Sequence, residues 1–398
     1  MGLFKDVKKP VIRQSPRATA DVSPLRPRFT PKQPPCSANC PAGADVRGWL
    51  TAIAQAEAYG RSPQEAYEAA WRILADAHPF PATLGRICPH ACEQACHRRG
   101  KEGAVAVNAL ERWLGDVALA RHFPLPERPR TAHVGRIAVV GSGPAGLSCA
   151  YQLARRGHHV TVLEARDAPG GRLRDATRTG RLPDAVVDAE TGRVLQLGVA
   201  LRCASPVPDD LRALEADHDF VFVATGRRPN GIVTDQFGRT DRVRVFAGGD
   251  AVRPGLVPAA LAGGRRAAEA IDAASDGRPL ENEVPLPLIG AERLKLAWYE
   301  DAPRHEWPIA RGTVGFQTGG PECGTAGLQT GGDSGITAEA KRCFSCGLCM
   351  DCERCWMHCT NNCFEKLAKG QHYRVSVDLC NGCRKCAEEC PCGYIDMV

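Results

Sequence analysis

No stretch of this 398-residue chain is apolar for long enough to span a bilayer, and its start lacks the charged-then-apolar pattern of a secretory signal. These absences predict a soluble, cytoplasmic protein with no membrane insertion. A strong charge bias is missing as well. The net charge is only +6, and the 51 basic residues are interleaved with 45 acidic ones, which leaves no electrostatic footprint for a nucleic acid. There is no long internal repeat. A disordered composition is excluded by 43% apolar residues, enough to bury a core, and the length fits two or three domains.

Cysteine, by contrast, is abundant and unevenly placed. Of 20 cysteines, five lie between Cys36 and Cys96 and twelve between Cys343 and Cys392, leaving only Cys149, Cys203 and Cys323 elsewhere. A reducing compartment keeps thiols free, so a disulfide framework is not expected. Dense groups with two- and three-residue spacers are a metal-ligand pattern.

The chain opens on an arm, 1–35, rich in Pro, Lys and Arg. A helical region carrying Cys36, Cys40, Cys88, Cys92 and Cys96 follows, to about residue 122. Within it helices are predicted from about Asp45 to Ala58, from a capping box at Ser62-Pro-Gln-Glu65 to about Ala77, and over Val107–Arg121. After a proline-rich linker the character changes. Arg136-Ile-Ala-Val-Val140 is an apolar run suited to a buried parallel strand, and His159–Glu164, Phe220–Ala224 and Val243–Ala247 fit the same sheet. Beyond about Ala273 the chain turns irregular, and Gly312–Gly335 is predicted to be a flexible connector.

Gly141-Ser-Gly143-Pro144-Ala145-Gly146 leaves the first strand and opens a helix, and Glu164 closes the second strand. A GxGxxG alone is weak evidence. In this βαβ context it predicts a dinucleotide site, with the pyrophosphate on the helix N-terminus and Glu164 on the ribose. Gly170-Gly171-Arg172, Ala224-Thr225-Gly226 and Gly249-Asp250 then follow in the order of the further FAD-contacting motifs of flavin disulfide-reductase-like folds. That likeness implies FAD, with Asp250 on its ribityl chain.

Two tail runs, Cys349-x2-Cys352-x2-Cys355-x3-Cys359 and Cys380-x2-Cys383-x2-Cys386-x3-Cys390-Pro391, have the spacing of two-cluster ferredoxins, which exchange their fourth cysteines. One [4Fe–4S] cluster would take Cys349, Cys352, Cys355 and Cys390, and the other Cys380, Cys383, Cys386 and Cys359. Thr360 stands where the first run would normally have Pro. Zinc is the alternative metal, although its sites more often pair separate CxxC knuckles.

With Arg86-Ile-Cys88-Pro, Leu182-Pro183 and Ala338-Glu-Ala-Lys-Arg-Cys343-Phe-Ser-Cys346 added, the chain resembles the glutamate synthase small-subunit family. That family includes relatives with C-terminal ferredoxin modules and the N-terminal half of dihydropyrimidine dehydrogenase. The resemblance implies a multidomain α/β protein: a helical N-terminal Fe–S domain (36–122), a Rossmann-like FAD domain (136–275), a linker (276–340) and a C-terminal ferredoxin-like 2[4Fe–4S] module (341–398). It also implies an N-terminal cluster on Cys40, Cys88, Cys92 and Glu111, the last standing where the family uses Gln or Glu. Two family features are missing. Only about 20 residues separate Gly226 from Phe246, where relatives insert an NADPH domain of roughly 100 or more residues. The leading Cys-x-x-Cys pair of the N-terminal motif is also absent.

Cys343-x2-Cys346 resembles that absent pair, so a further cluster is expected on Cys36, Cys96, Cys343 and Cys346. The total would be four [4Fe–4S] clusters, or three if Cys343 and Cys346 are spare thiols. The expected function is an electron-transfer subunit relaying electrons between FAD and the clusters, to or from a partner catalytic subunit. Family context suggests a 2-oxoacid or aldehyde oxidoreductase, or a ferredoxin, as that partner. The alternatives are an NAD(P)H:acceptor oxidoreductase with FAD as hydride acceptor, and a scaffold that merely holds clusters.

Overall fold

The computed structural model describes residues 23–398 except 127, 130, 131, 229, 281–283, 306–332 and 369. Most of the expected 312–335 connector, Cys323 and the first 22 residues of the arm lie outside the described residues. The rest of the arm is strapped down. Its strand β1 (Pro27–Phe29) pairs antiparallel with the last strand of the chain, Ile395–Met397. Phe29 stacks on Tyr394 at 5.4 Å, and Lys32 Nζ donates to the Asp396 carboxylate at 2.9 Å.

The helical domain follows. Helix α1 (Val46–Ala54) starts at Asp45, whose side chain accepts from Gly48 N. Helix α2 (Pro63–Ala77) opens on the predicted capping box: Ser62 Oγ accepts from Glu65 N, and Glu65 accepts in return from Ser62 N at 2.7 Å. Tyr67, Trp71 and Leu74 recur at helical spacing on one face, and that face is buried against Trp49 of α1 and Leu110. Helices α3 (Pro81–Ile87) and α4 (Val107–Ala120) complete the unit, locked by a bidentate Arg86–Asp116 pair at 2.8 and 2.9 Å.

The central domain is β2 (Arg136–Val140), α5 (Pro144–Arg155), β3 (His159–Leu163), α6 (Asp184–Leu195), β4 (Ala200–Arg202), β5 (Phe220–Val223), β6 (Val245–Ala247) and α7 (Val257–Ser275). The strands form one parallel sheet in the order β4-β3-β2-β5-β6. Strand order reverses between β2 and β5, which is where open α/β sheets bind ligands. Residues 137–140 of β2 are all buried, as expected for an interior parallel strand. Cys149 is fully buried in this core, where it packs as a small apolar residue.

The two domains meet at Glu190 of α6, which accepts from Ala82 N (2.7 Å) and Thr83 N (3.0 Å) at the start of α3. Glu190→Ala orphans two buried donors at roughly 1–3 kcal/mol each, so urea unfolding should show a loss of about 2–6 kcal/mol. Burial pushes the Glu190 carboxyl up to about 8, against the pull of these donors. Its unfolded value is about 4.3. The raised folded value means the proton-linked stabilisation is full below about pH 4 and lost as pH rises through about 8. The penalty of the variant should therefore shrink in alkaline buffer; a penalty that does not change with pH would contradict this.

The stretch expected to be a linker, 276–340, is mostly exposed where it is described, but it is anchored at a few buried residues. Ile289, Leu294 and Tyr299 form a small core with Phe344 and Cys346. Helix α8 (Asp333–Lys341) then buries Ile336 and Ala340 in the core of the N-terminal helical domain. The tail module consists of the β7 (Phe364–Lys366) and β8 (Tyr373–Val375) hairpin, two single helical turns and β9 (Ile395–Met397). Among the described residues, no helix is long and apolar enough to cross a membrane.

Candidate cofactor sites

The glycines of the dinucleotide turn divide into two kinds. A Cβ on Gly141 (φ +100°) would lie 2.5 Å from Ala224 O, and one on Gly146 would lie 1.9 Å from Gly141 O. Both are required by the protein's own packing. Gly143 has an ordinary φ of −69°, and a Cβ there would meet no atom within 4 Å. The open space lies at the N-terminus of α5, whose first N–H groups have no helical partner, so the turn fits a pyrophosphate. Glu164, buried at the end of β3, accepts from Ser142 N and Arg166 N, each at 2.9 Å, and so faces the turn.

The other predicted residues converge on the same edge of the sheet. A Cβ on Gly171 would lie 2.8 Å from Gly143 Cα, and one on Gly249 2.7 Å from the Ala145 Cβ. Arg172 is ion-paired with Asp250. Ala224 N donates to Val140 O, and Thr225 Oγ1 accepts from Arg228 Nε at 3.0 Å. Strands β5 and β6 pair directly, and too few residues separate them in the sequence for a second Rossmann unit.

The cysteines fall into four groups. In the first, Cys40, Cys88 and Cys92 surround Glu111: burial pushes all three thiols up, and the Glu111 carboxylate pushes in the same direction. Glu111 also faces the buried His78 at 3.5 Å. In the second, Cys36, Cys96, Cys343 and Cys346 line one cavity together with Arg47 and Arg98. In the third, Cys349, Cys352 and Cys355 act electrostatically on one another and on Cys390. The fourth is Cys359, Cys380, Cys383 and Cys386 around one cavity.

All 19 described cysteines are free of disulfides. Burial drives most of the grouped thiols upward, Cys343 to about 11 and Cys352 to about 12, whereas the hydrogen bond from Cys392 brings Cys390 down to about 6. A bound metal deprotonates such thiols outright, and four-thiol groups with the ferredoxin spacing fit [4Fe–4S] clusters.

Several neighbours carry no sequence signal. Cys363 N donates to Cys359 Sγ at 3.3 Å, and Cys392 Sγ lies 3.7 Å from Cys390 Sγ. Asp351, two residues after Cys349, accepts from Tyr59 of the helical domain (3.0 Å) and pairs with His372 (2.7 Å). Arg47 looks in the sequence like an ordinary helix-surface charge and Arg98 lies outside any predicted helix; only the fold turns them inward. Cys203 belongs to no group.

Known proteins match in the same two places. The dihydropyrimidine dehydrogenase domain II, 4Fe-4S cluster family matches residues 27–123, and an NAD(P)-binding Rossmann-like domain matches 139–199. The chain is 33% identical over 215 residues to the NADP(+)-dependent formate dehydrogenase subunit beta of Moorella thermoacetica, covering 48% of this chain and 29% of that protein. The chain is a homologue of such oxidoreductase subunits. It is 31% identical over 196 residues to the NAD-dependent dihydropyrimidine dehydrogenase subunit PreT of Escherichia coli (strain K12), covering 48% of this chain and 45% of that one. It is 30% identical over 193 residues to the glutamate synthase [NADPH] small chain of Bacillus subtilis (strain 168), covering 47% and 39%. The chain thus spans less than half the length of each of these homologues. It shares with them a 4Fe-4S domain joined to a Rossmann-type dinucleotide domain.

Proposed function

We propose that the chain is a cytoplasmic electron-transfer subunit that binds one FAD and four [4Fe–4S] clusters and exchanges electrons with a partner catalytic subunit. The observation that carries this is the way the cysteine groups chain together. Cys36-x3-Cys40 and Cys92-x3-Cys96 each bridge groups one and two. Cys346-x2-Cys349 bridges two and three, and Cys355-x3-Cys359 and Cys386-x3-Cys390 bridge three and four. Four residue steps span at most about 14 Å, so each group must adjoin the next. Cys40 and Cys88 of group one pack against the core of the dinucleotide domain, which supports a flavin end of the series there.

FAD, when bound, holds one or two electrons and each cluster one, so the assembly converts between two-electron and one-electron carriers. The chain's own part is to hold these groups in series and dry. Ligation by Cys40, Cys88, Cys92 and Glu111, by Cys36, Cys96, Cys343 and Cys346, and by the two ferredoxin sets is part of the proposal. So are FAD contacts from Gly141, Gly143, Gly146, Glu164 and Asp250. Homologues are named as subunits of a formate dehydrogenase, a dihydropyrimidine dehydrogenase and a glutamate synthase. A partner acting on a small oxidisable substrate, such as a 2-oxoacid or an aldehyde, or a ferredoxin, fits that company. Photoreduction of the flavin in the anaerobic full chain should produce cluster EPR signals. Flavin that stays reduced while every cluster stays oxidised would contradict the relay.

The Rossmann-type match on 139–199 favours a second reading, direct oxidation of NAD(P)H. The short segment between β5 and β6 has no room for a second dinucleotide domain. NADH or NADPH alone should therefore leave the flavin absorption band of the isolated chain unbleached, and bleaching would select the second reading.

A further inference from the structure

Among the described residues, Arg47 is a buried cation without a counter-ion. Only 7% of it is exposed. One guanidinium nitrogen donates to two backbone carbonyls, Lys32 O at 2.7 Å and Cys346 O at 2.6 Å. Its Nε is buried with no hydrogen-bond partner, and no carboxylate pairs with it among the described residues. The other charges near this cavity are compensated: Arg98 by Glu102, Arg342 by Glu339, and Lys32 by Asp396. Arg98 nevertheless also leaves a buried Nε unpaired. Both guanidinium groups line the cavity of Cys36, Cys96, Cys343 and Cys346, and both act on Cys343.

An uncompensated buried charge is costly, and so is an unpaired buried N–H. Both costs vanish if the cavity holds an anion that accepts hydrogen bonds. A four-thiolate iron–sulfur cluster is such an anion, and it gains one further negative charge on one-electron reduction. Positive charge and N–H donors beside the sulfurs favour the reduced form and raise the potential. Group one, one helical turn away, has the opposite environment, because the Glu111 and Glu93 carboxylates bear on its thiols.

We propose that Arg47, assisted by Arg98, is the positioning counter-ion that makes the Cys36–Cys96–Cys343–Cys346 cluster the most readily reduced of the four. The inference rests on the four-cluster reading above. Electrons delivered by the neighbouring group-one cluster would collect at this site before moving one at a time into the ferredoxin module.

An EPR-monitored redox titration of the anaerobic full chain tests this. The signal that disappears in the Cys343→Ser/Cys346→Ser variant should be the first to develop in the wild type as the potential is lowered. If another signal develops first, the proposal is overturned. Arg47→Gln should move that one signal to lower potential by at least the tenfold change in equilibrium that equals 59 mV for one electron, and Arg47→Lys should largely restore it. Arg47→Gln protein with unchanged iron and an unmoved signal would also overturn it. A wild type with no signal sensitive to the serine pair would instead sink the four-cluster reading. The two failures are therefore distinguishable, and the wild-type ordering decides the matter even if Arg47→Gln fails to assemble.

Discussion

Gly143→Asp should abolish flavin binding while leaving the protein folded. A Cβ at this position meets nothing within 4 Å, and φ is −69°, so the backbone and its neighbours tolerate a side chain. The carboxylate would occupy the space left for the pyrophosphate. Two like charges about 4 Å apart cost about 4 kcal/mol at an effective dielectric of 20, which is close to a thousandfold in affinity. The purified variant should release no flavin on denaturation, with the unfolding midpoint of flavin-free wild type. Gly146→Ala is the contrast. Its Cβ would lie 1.9 Å from Gly141 O, so that variant should lose flavin because the turn itself is disrupted, and its unfolding midpoint should fall. Full flavin occupancy in Gly143→Asp would remove the dinucleotide assignment, and a collapse of its fold would remove the reasoning that separates the two glycines.

Which parts of this arrangement were legible in the sequence follows from how local each signal is. The capping box at Ser62–Glu65 and the buried run 137–140 depend on neighbours a few residues away, and both stand where their patterns put them. The glycine roles at 141, 143 and 146 follow from the geometry of one turn and are equally local. Strands β1 and β4 were not legible. Each has three residues, too few to establish an alternation, and β1 exists only because β9, more than 360 residues away, pairs with it. Helix α8 was hidden for a related reason. Its periodicity is weak, and its apolar residues Ile336 and Ala340 find their partner in a domain made at the other end of the chain. Arg47 carries no mark at all, since an arginine early in an amphipathic helix reads as a surface charge. The match between Cys343-x2-Cys346 and the missing N-terminal pair was legible only through family resemblance, because spacing alone does not say which thiols meet.

The return of the chain to the helical domain has protein contacts of its own. Glu339 of α8 accepts from Ala106 N at 2.7 Å and from His305 N at 2.8 Å. Arg342 donates to Ala104 O and Gly103 O, and the Arg342–Glu339 pair is fully buried. A Cys343→Ser/Cys346→Ser variant should therefore keep its fold and lose only the cluster it shares with Cys36 and Cys96. Iron analysis of anaerobically purified full chain is the direct measurement. The account predicts about 16 iron atoms per wild-type chain and about 12 in the serine variant, four per cluster. A wild type holding about 12, unchanged by the two substitutions, would contradict it.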